Sequence, residues 1–349
     1  MRRVVAFLII TAACVTAVVI SATATGKRRV HTAPARNGLI TFMRPGTVGA
    51  FDIWVVRPNG SGLRRVTTSP QGRDDHNPVW SPDGSTILFE RRKIDSSTPG
   101  PDEALYAVGP HGENFRQITH CRGNCWADSE PAWTADGRRI AFGRAVGPRS
   151  APGPSRVPIA IARADGSGVR LVSRPSKGYE DHYPTWSPNG RTIVFQRNTT
   201  NTKGTPIDSR LITVDLATRR ERTLFVFPAW AQGAGIPKFS PDGTRILFGF
   251  WCIFGDQCTS PEPRNEKLAT IRPDGQGLHL LPLSGADTGA WSPDGKEIAF
   301  RCRAGSDLAP GVSPSDLPYR LCLARLGGTI LKRFPWPLLS VHPDWTTHR

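Results

Sequence analysis

The stretch Asn77-Pro78-Val79-Trp80-Ser81-Pro82-Asp83-Gly84, followed by Ile87-Leu88-Phe89, is one of five close copies in this 349-residue sequence. The other four copies are Glu130 to Gly137, Tyr183 to Gly190, Ile236 to Gly243 and Thr288 to Gly295. Their first turn residues stand at positions 81, 134, 187, 240 and 292, so the steps are 53, 53, 53 and 52 residues. A period of about 50 residues in an all-β pattern is typical of a propeller.

Each copy predicts one β-hairpin with a tight turn. Pro82 fixes φ at the first corner, Asp83 can bond to its own backbone, and Gly84 tolerates the positive φ that closes the hairpin. After the turn, residues two apart such as Ile87 and Phe89 lie on one apolar face of the next strand. The residues that define the repeat are Trp80, Asp83, Gly84, Trp133, Asp136, Gly137, Trp186, Gly190, Asp242, Gly243, Trp291, Asp294, Gly295 and Trp345.

A second hairpin follows in each unit, with an apolar run, a turn and a more polar outer strand, which gives the four strands of a propeller blade. Six second hairpins occur, but only five complete copies of the first hairpin. Gly38 to Phe42 matches the strand after the turn but lacks the inner strand before it, which His342 to Thr347 can supply. The sequence therefore predicts an all-β, six-bladed β-propeller of four-stranded blades whose N- and C-terminal strands share one blade, 38–70 plus 340–347. This closure hides free strand edges.

The tryptophans of the repeat are interpreted as core residues between neighbouring blades. This interpretation applies to Trp80, Trp133, Trp186 and Trp291. A binding role for these side chains is the alternative.

The first 24 residues are predicted to be a signal peptide, because a basic start, an apolar run from Val4 to Ile20 and small residues up to Ala24 follow one another. An uncleaved N-terminal anchor is the alternative, since the apolar run is close to the lower length of a membrane span. Lipidation of Cys14 ranks third. Residues 25–37 are then a linker, residues 38–347 the propeller, and the protein is extracytoplasmic, whether secreted, periplasmic or on the cell surface of a bacterium.

Six cysteines outside the signal support export into an oxidising compartment. They fall in near pairs, and the hairpin pattern favours bridges within those pairs over the other connectivities. The predicted disulfides are Cys121 with Cys125, Cys252 with Cys258, and Cys302 with Cys322. Metal binding by these cysteines is the alternative, although no pair has Cys-x-x-Cys spacing.

The formal net charge of +16 suggests an anionic partner, such as a wall polymer, lipid headgroups or an acidic polysaccharide. A solvated basic surface is the simpler interpretation, because the charges are scattered over predicted outer strands and loops. No basic helix or aromatic interleaving indicates nucleic-acid binding. We expect a monomer that contacts a membrane only through an uncleaved N-terminal segment.

Candidate binding residues stand in the connection that enters each predicted inner strand. Such connections surround one mouth of the channel in a propeller, so equivalent positions should converge. The candidates are Asp75, His76, Asp128, Glu130, Asp181, His182, Asp287 and His342. A ring of histidines and carboxylates could hold a divalent cation, a sugar or a peptide terminus. The alternative is that these side chains cap loop backbone and bond across blades.

Motifs of known catalytic sites are missing from the sequence. There is no Gly-x-Ser-x-Gly elbow, no His-Glu-x-x-His and no phosphate loop between a strand and a helix. No catalytic residue and no cofactor are therefore predicted, apart from the divalent cation considered for the channel ring.

The Pro-x-Trp-Ser-Pro-Asp-Gly-x-x-Ile-x-Phe units resemble the WD-like repeats of the TolB-type six-bladed propeller. The resemblance covers nearly all of the chain after the signal and includes the second, Asp-Gly-type turn. It applies to the propeller part of TolB, since the N-terminal α/β domain of TolB has no counterpart here. The resemblance implies an extracytoplasmic, protein-binding propeller without enzymatic activity.

Two functions follow from these observations. The first is an exported, non-enzymatic scaffold that binds a protein or a cell-envelope polymer through one propeller face. The alternative is a metal-dependent, lyase-like propeller that uses the histidine and carboxylate ring on an acidic polysaccharide.

Overall fold

The structure is a computed structural model that describes residues 36–46, 50–94, 103–151, 153–176, 178–200, 206–227, 231–232, 235–252, 265–283, 285–303, 319–336 and 342–348. The predicted signal peptide lies outside the described residues, as does most of the predicted linker. Within the described residues, no helix has the length and hydrophobicity needed to cross a membrane.

Six antiparallel sheets form the blades of a propeller, which confirms the predicted all-β, six-bladed fold. Blade 1 contains β1 (Arg36–Pro45), β2 (Phe51–Val56) and β3 (Arg64–Arg65). Blade 2 contains β4 (Arg73–Trp80), β5 (Ile87–Lys93), β6 (Ala104–Val108) and β7 (Arg116–Gln117). Blade 3 contains β8 (Cys125–Trp133), β9 (Arg139–Val146), β10 (Ile159–Arg163) and β11 (Arg170–Leu171).

The remaining blades repeat this order, with the inner strand of blade 5 divided in two. Blade 4 contains β12 (Tyr179–Trp186), β13 (Thr192–Thr200), β14 (Pro206–Asp215) and β15 (Glu221–Val226). Blade 5 contains β16 (Ala231–Gln232), β17 (Lys238–Phe239), β18 (Ile246–Cys252), β19 (Asn265–Ile271) and β20 (His279–Leu280). Blade 6 contains β21 (Ala286–Trp291), β22 (Glu297–Arg303), β23 (Tyr319–Arg325) and β24 (Ile330–Arg333).

The last strand, β25 (Asp344–His348), completes blade 1 by pairing with β1. Ile40 lies opposite Trp345 and Thr41 opposite Asp344, so the two ends of the propeller share one blade as predicted. Successive strands are antiparallel, so the turns that follow the inner strands, such as Ser81 to Gly84, lie on one side of the ring. We call this side the turn face, and the opposite side, where the chain enters each inner strand, the loop face.

The repeated turn has the predicted geometry. Gly84 has a φ of 68° and donates its N–H to the carbonyl of Ser81 at 2.9 Å. The Asp83 carboxylate accepts the Ser81 hydroxyl at 2.6 Å, which holds the turn closed from within. The same serine or threonine to aspartate or asparagine bond recurs in the four other copies.

One phenylalanine per blade forms the centre of each blade-to-blade contact. The six are at most 1% exposed: Phe42, Phe89, Phe142, Phe195, Phe248 and Phe300. The residue on the other face is buried as well, since Leu88 has no exposed surface. Both faces of these strands are buried because each blade is packed between two neighbouring blades. The sequence pattern had predicted an apolar residue on only one face of each strand.

The repeat tryptophans pack between blades. Trp186 is 5% exposed and joins a cluster that contains Ala132 and Ile159 of blade 3 and Ile193 of blade 4. Its indole N–H donates to the carbonyl of Ala132 at 3.3 Å. Trp133 is half-buried, whereas Trp80, Trp291 and Trp345 are 5–7% exposed.

Two of the three predicted disulfides are present. Cys121 is bonded to Cys125 in the connection that enters blade 3, and Cys302 is bonded to Cys322, which joins β22 to β23. Cys258 lies outside the described residues, so the third pair stays a prediction.

A buried ion pair recurs in four blades, between the inner strand and the strand that follows it. The pairs are Asp75 with Arg91, Asp128 with Arg144, Asp181 with Arg197, and Asp287 with Arg301. Each aspartate is 0% exposed, and both carboxylate oxygens accept from one guanidinium, as in Asp181, where the distances are 2.6 and 2.9 Å. Burial alone would lower the pKa of Arg197, but the hydrogen bonds and charges of Asp181 and Glu221 raise it above its ordinary value.

The outer turns also fix neighbouring blades against each other. Gly166, in the outer turn of blade 3, has a φ of 83°, and a Cβ built there would lie 1.9 Å from the carbonyl oxygen of Ile118 in blade 2. Only glycine allows this close approach of two backbones.

We predict that Arg197→Ala lowers the free energy of unfolding by ~3–5 kcal/mol, because it leaves the Asp181 carboxylate buried without its main partner. The matched control is Arg272→Ala, which breaks the exposed pair with Asp274 and should cost less than about 1 kcal/mol. Urea unfolding measures both variants. Equal losses of unfolding free energy in the two variants would show that the buried ion pair stabilises the fold no more than the exposed one.

We also predict that Gly166→Ala destabilises the fold by about 1–3 kcal/mol more than Gly178→Ala, because of the added overlap with Ile118. Gly178 has a φ of 85° and no atom within 4 Å of the added Cβ, so both variants carry the same backbone strain. The difference in thermal unfolding isolates the contact between blades. Equal destabilisation of Gly178→Ala and Gly166→Ala would show that the contact between Gly166 and Ile118 does not restrict the outer turn.

Candidate functional site

The central channel is lined by a bulge that recurs in the inner strands. The register of strand pairing shifts between His76 and Val79, and equivalent shifts occur in β8, β12 and β21. The residue before the proline of the bulge has a positive φ in four blades: Asn77 (51°), Glu130 (56°), Tyr183 (51°) and Ile236 (26°). This conformation is rare for residues with a side chain, and the following proline has no N–H to leave unpaired.

The bulges surround a narrow space. The lining residues are Asn77, Pro78, Val79, Glu130, Pro131, Tyr183, Pro184, Ile236, Pro237, Lys238, Thr288, Gly289, His342 and Pro343. The cavity that they enclose has a volume of about 30 Å³. Because a buried water needs at least ~10–15 Å³ by the same measure, this space has room for one or two waters and is too small for a sugar ring.

The structure separates the predicted ring residues into two groups. Asp75, Asp128, Asp181 and Asp287 form the buried ion pairs described above. His76 also lies away from the cavity, because its Nε2 is 3.3 Å from an oxygen of Asp74 and its ring contacts the edge of Phe51 at 5.3 Å.

Of the predicted residues, Glu130 and His342 line the cavity, and His182 lies behind the wall in contact with Glu130. His182 lies between two carboxylates, with Nδ1 3.2 Å from Glu130 and Nε2 3.2 Å from Glu180. Burial alone would lower the pKa of His182, but the charges and hydrogen bonds of Glu130 and Glu180 raise it well above 6.5. His182 is therefore a cation at neutral pH.

His342, in contrast, is uncharged at neutral pH. Burial, with the nearby charges of Arg301 and His76, lowers the pKa of His342 to about 3, so its imidazole is neutral. Its Nδ1 then carries a proton and donates to Oδ1 of Asn77. The tautomer follows from this contact, since the amide oxygen can only accept.

The sequence analysis did not identify Asn77, Glu90 and Tyr183 as site residues, although they connect the polar groups of the wall. Glu90 is 5% exposed and accepts hydrogen bonds from the Asn77 amide at 2.9 Å and from the Glu130 N–H at 3.2 Å. The Tyr183 ring lies between His182 and His342, 6.1 Å from each. A signal was available for Asn77 and Tyr183, because the residue before the repeated proline changes from Asn to Glu, Tyr, Ile and His while the proline stays the same.

These contacts form a continuous hydrogen-bonded chain from blade 1 to blade 4. It runs from His342 through Asn77 and Glu90 to Glu130, and then through His182 to Glu180. Glu130 also accepts the N–H of Tyr183 at 2.8 Å. The polar groups of the wall thus largely satisfy one another.

Among the described residues, the group of three potential metal ligands whose atoms lie within 4.8 Å of one another is Cys121, Cys125 and Asp128. The two cysteines are joined as a disulfide, so they have no thiolate to offer a metal. The predicted ligand-binding role of the channel ring stays a prediction.

Known proteins share the repeat and the fold. The Tol-Pal system protein TolB of Pelagibacter ubique is 39% identical over 61 residues, which are 17% of this chain and 13% of that protein. Dipeptidyl-peptidase 5 of Porphyromonas gingivalis is 28% identical over 240 residues, which are 68% of this chain and 30% of that protein. The matched segments thus span less than a third of these relatives.

The fold is also similar to that of TolB from Acinetobacter baumannii. That crystal structure aligns with a TM-score of 0.61 and 17% identity, and the alignment covers 88% of this chain and 66% of TolB. The family model described as the TolB beta propeller domain matches residues 28–234, which is more than half of the chain. The chain therefore belongs to the TolB beta propeller domain family.

Proposed function

We propose that this protein is an exported, non-enzymatic scaffold that binds a protein or an anionic polymer of the cell envelope. The observation that carries the proposal is the state of the channel wall. Its histidines and carboxylates bond to one another around a cavity of about 30 Å³, so they do not converge on a substrate-sized space.

The family, the disulfides and the net charge of the chain support the same function. The family to which it belongs includes a component of the Tol-Pal system, and propellers of this kind offer broad faces for binding. The two disulfides fit an extracytoplasmic, oxidising location. The net charge of +16 favours an anionic partner.

The test compares the wild type with a His182→Gln, His342→Gln double variant. We expect both proteins to retain saturable binding to an envelope fraction, because the two histidines hold the wall and do not contact the partner. Equilibrium dialysis against Ca²⁺ and Mn²⁺ should find no stoichiometric ion in either protein.

Two outcomes would contradict the proposal. A stoichiometric metal ion that is lost in the double variant would favour the metal-dependent, lyase-like alternative. A wild-type protein that binds no envelope fraction, with its fold intact by circular dichroism, would exclude a scaffold.

A further inference from the structure

We propose that a disulfide-held part of the loop face in blade 3 binds a linear polyanion of the cell envelope. This inference rests on the proposed function, since it selects the anionic polymer as the partner and places its binding site. The site consists of residues 121–126, which enter blade 3, and residues 147–151 and 153–156, which lie between β9 and β10. We call these residues the platform.

Contacts between its two segments hold the platform together. Cys121 is bonded to Cys125, which closes the first segment. The N–H of Gly147 in the second segment donates to the carbonyl of Asn124 at 2.9 Å. Trp126 is 8% exposed, and its indole N–H donates to the carbonyl of Gly147 at 3.1 Å. The backbone is therefore fixed before a ligand binds, which lowers the entropic cost of binding.

Arg149 fastens the same two segments from the surface. Its guanidinium lies 5.0 Å from the Trp126 ring and donates to the carbonyl of Gly123 at 3.3 Å and to the carbonyl of Cys125. A guanidinium has five N–H groups, and these two bonds use two of them. Because Arg149 is exposed, its other N–H groups can donate to an anion.

Exposed arginines are concentrated on this side of the ring. Arg122, Arg149 and Arg156 are exposed on the platform itself. Arg92, at the loop-face end of β5, and Arg174, in the connection to blade 4, are exposed next to it. The fork of N–H groups of a guanidinium matches the oxygens of a carboxylate or a phosphate. The platform therefore offers several anion-binding groups on one rigid support.

The carboxylates near the platform are buried or paired. Asp128 is 0% exposed, and both of its oxygens accept from Arg144. Glu103 is 9% exposed. Glu180, at the entrance to blade 4, lies 3.2 Å from the cationic His182. Among the described loop-face residues of blades 2 and 3, the exposed charged side chains are thus arginines and a lysine.

The lack of exposed apolar side chains selects a polymer over a membrane or a protein. A lipid surface is bound through apolar side chains that enter it, and a protein interface has an apolar centre. The exposed large apolar side chains of the described residues lie in or next to the outer strands, away from the platform: Phe115, Leu171, Val226, Leu278, Leu280 and Leu331. A polymer with repeated carboxylate or phosphate groups needs only the arginines, and it can contact several of them at once.

The experiment removes two cations from the platform and two from elsewhere. The platform variant is Arg122→Gln with Arg156→Gln, which retains Arg149 and its contacts. The control is Arg57→Gln with Arg191→Gln, which removes two exposed arginines from the turn face. Titration calorimetry of the full chain measures binding to polyphosphate, to polygalacturonate and to dextran as the neutral polymer.

We expect the wild type to bind a polyanion, and the platform variant to bind it at least ~10-fold more weakly, because charge-assisted hydrogen bonds are lost. The control should bind at most about threefold more weakly, through the lower net charge alone. Since both variants lose the same charge, the difference between them measures local contacts. Matching thermal unfolding curves show that both variants fold. The polymer that binds more tightly identifies the anionic group.

A second variant tests whether the disulfide prepares the site. Cys121→Ser with Cys125→Ser retains every arginine but releases the first segment of the platform. We expect roughly 2–10-fold weaker binding, because this segment must then be ordered when the polymer binds. Affinity equal to that of the wild type would contradict a preformed site.

Three further results would overturn the inference. Equal losses of affinity in the platform variant and the control show that only net charge attracts the polymer. Binding of dextran as tight as that of the polyanions excludes an anionic ligand class. A wild type that binds neither polyanion but retains a protein from the envelope fraction excludes a polymer ligand and leaves the scaffold function intact. Failure to bind any envelope fraction contradicts the scaffold function itself.

Discussion

The pairing of β25 with β1 joins the two ends of the propeller, and the other contacts of the ring depend on it. Asp344 in β25 accepts the N–H of Trp80 in blade 2 at 2.8 Å and lies 3.6 Å from the ammonium of Lys238 in blade 5. Burial raises the pKa of Asp344, and Lys238 opposes this shift. One residue of the last strand thus contacts two other blades, and closure gives every blade a neighbour on both faces.

A closed ring of six blades brings six inner strands around one axis, and this explains the polar wall of the channel. Polar groups that leave water need partners, and in a cavity of about 30 Å³ the nearest partners are side chains of other blades. Glu90, Glu130 and His182 form such contacts between blades 2, 3 and 4. The network therefore stabilises the centre of the ring.

The fold could be predicted from the sequence because the repeat combines a turn, a strand pattern and a period that agree with one another. The site could be predicted only in part. Trp80 pairs with Ile87 and Val79 with Leu88, and continuing this register would place Asp75 opposite Arg92. The bulge at Asn77 shifts the pairing by one residue, so Asp75 lies opposite Arg91 and binds it. Sequence spacing gives equivalent positions, but a bulge changes which side each residue faces.

The central claim is that the channel histidines are fixed partners of a closed network and are not free ligands. Titration of the imidazole signals by NMR, assigned with the His182→Gln and His342→Gln variants, tests this claim directly. We predict that the pKa of His182 lies well above 6.5 and that His342 stays neutral until about pH 3. Titration of both histidines near 6.5, as for imidazoles in water, would contradict it.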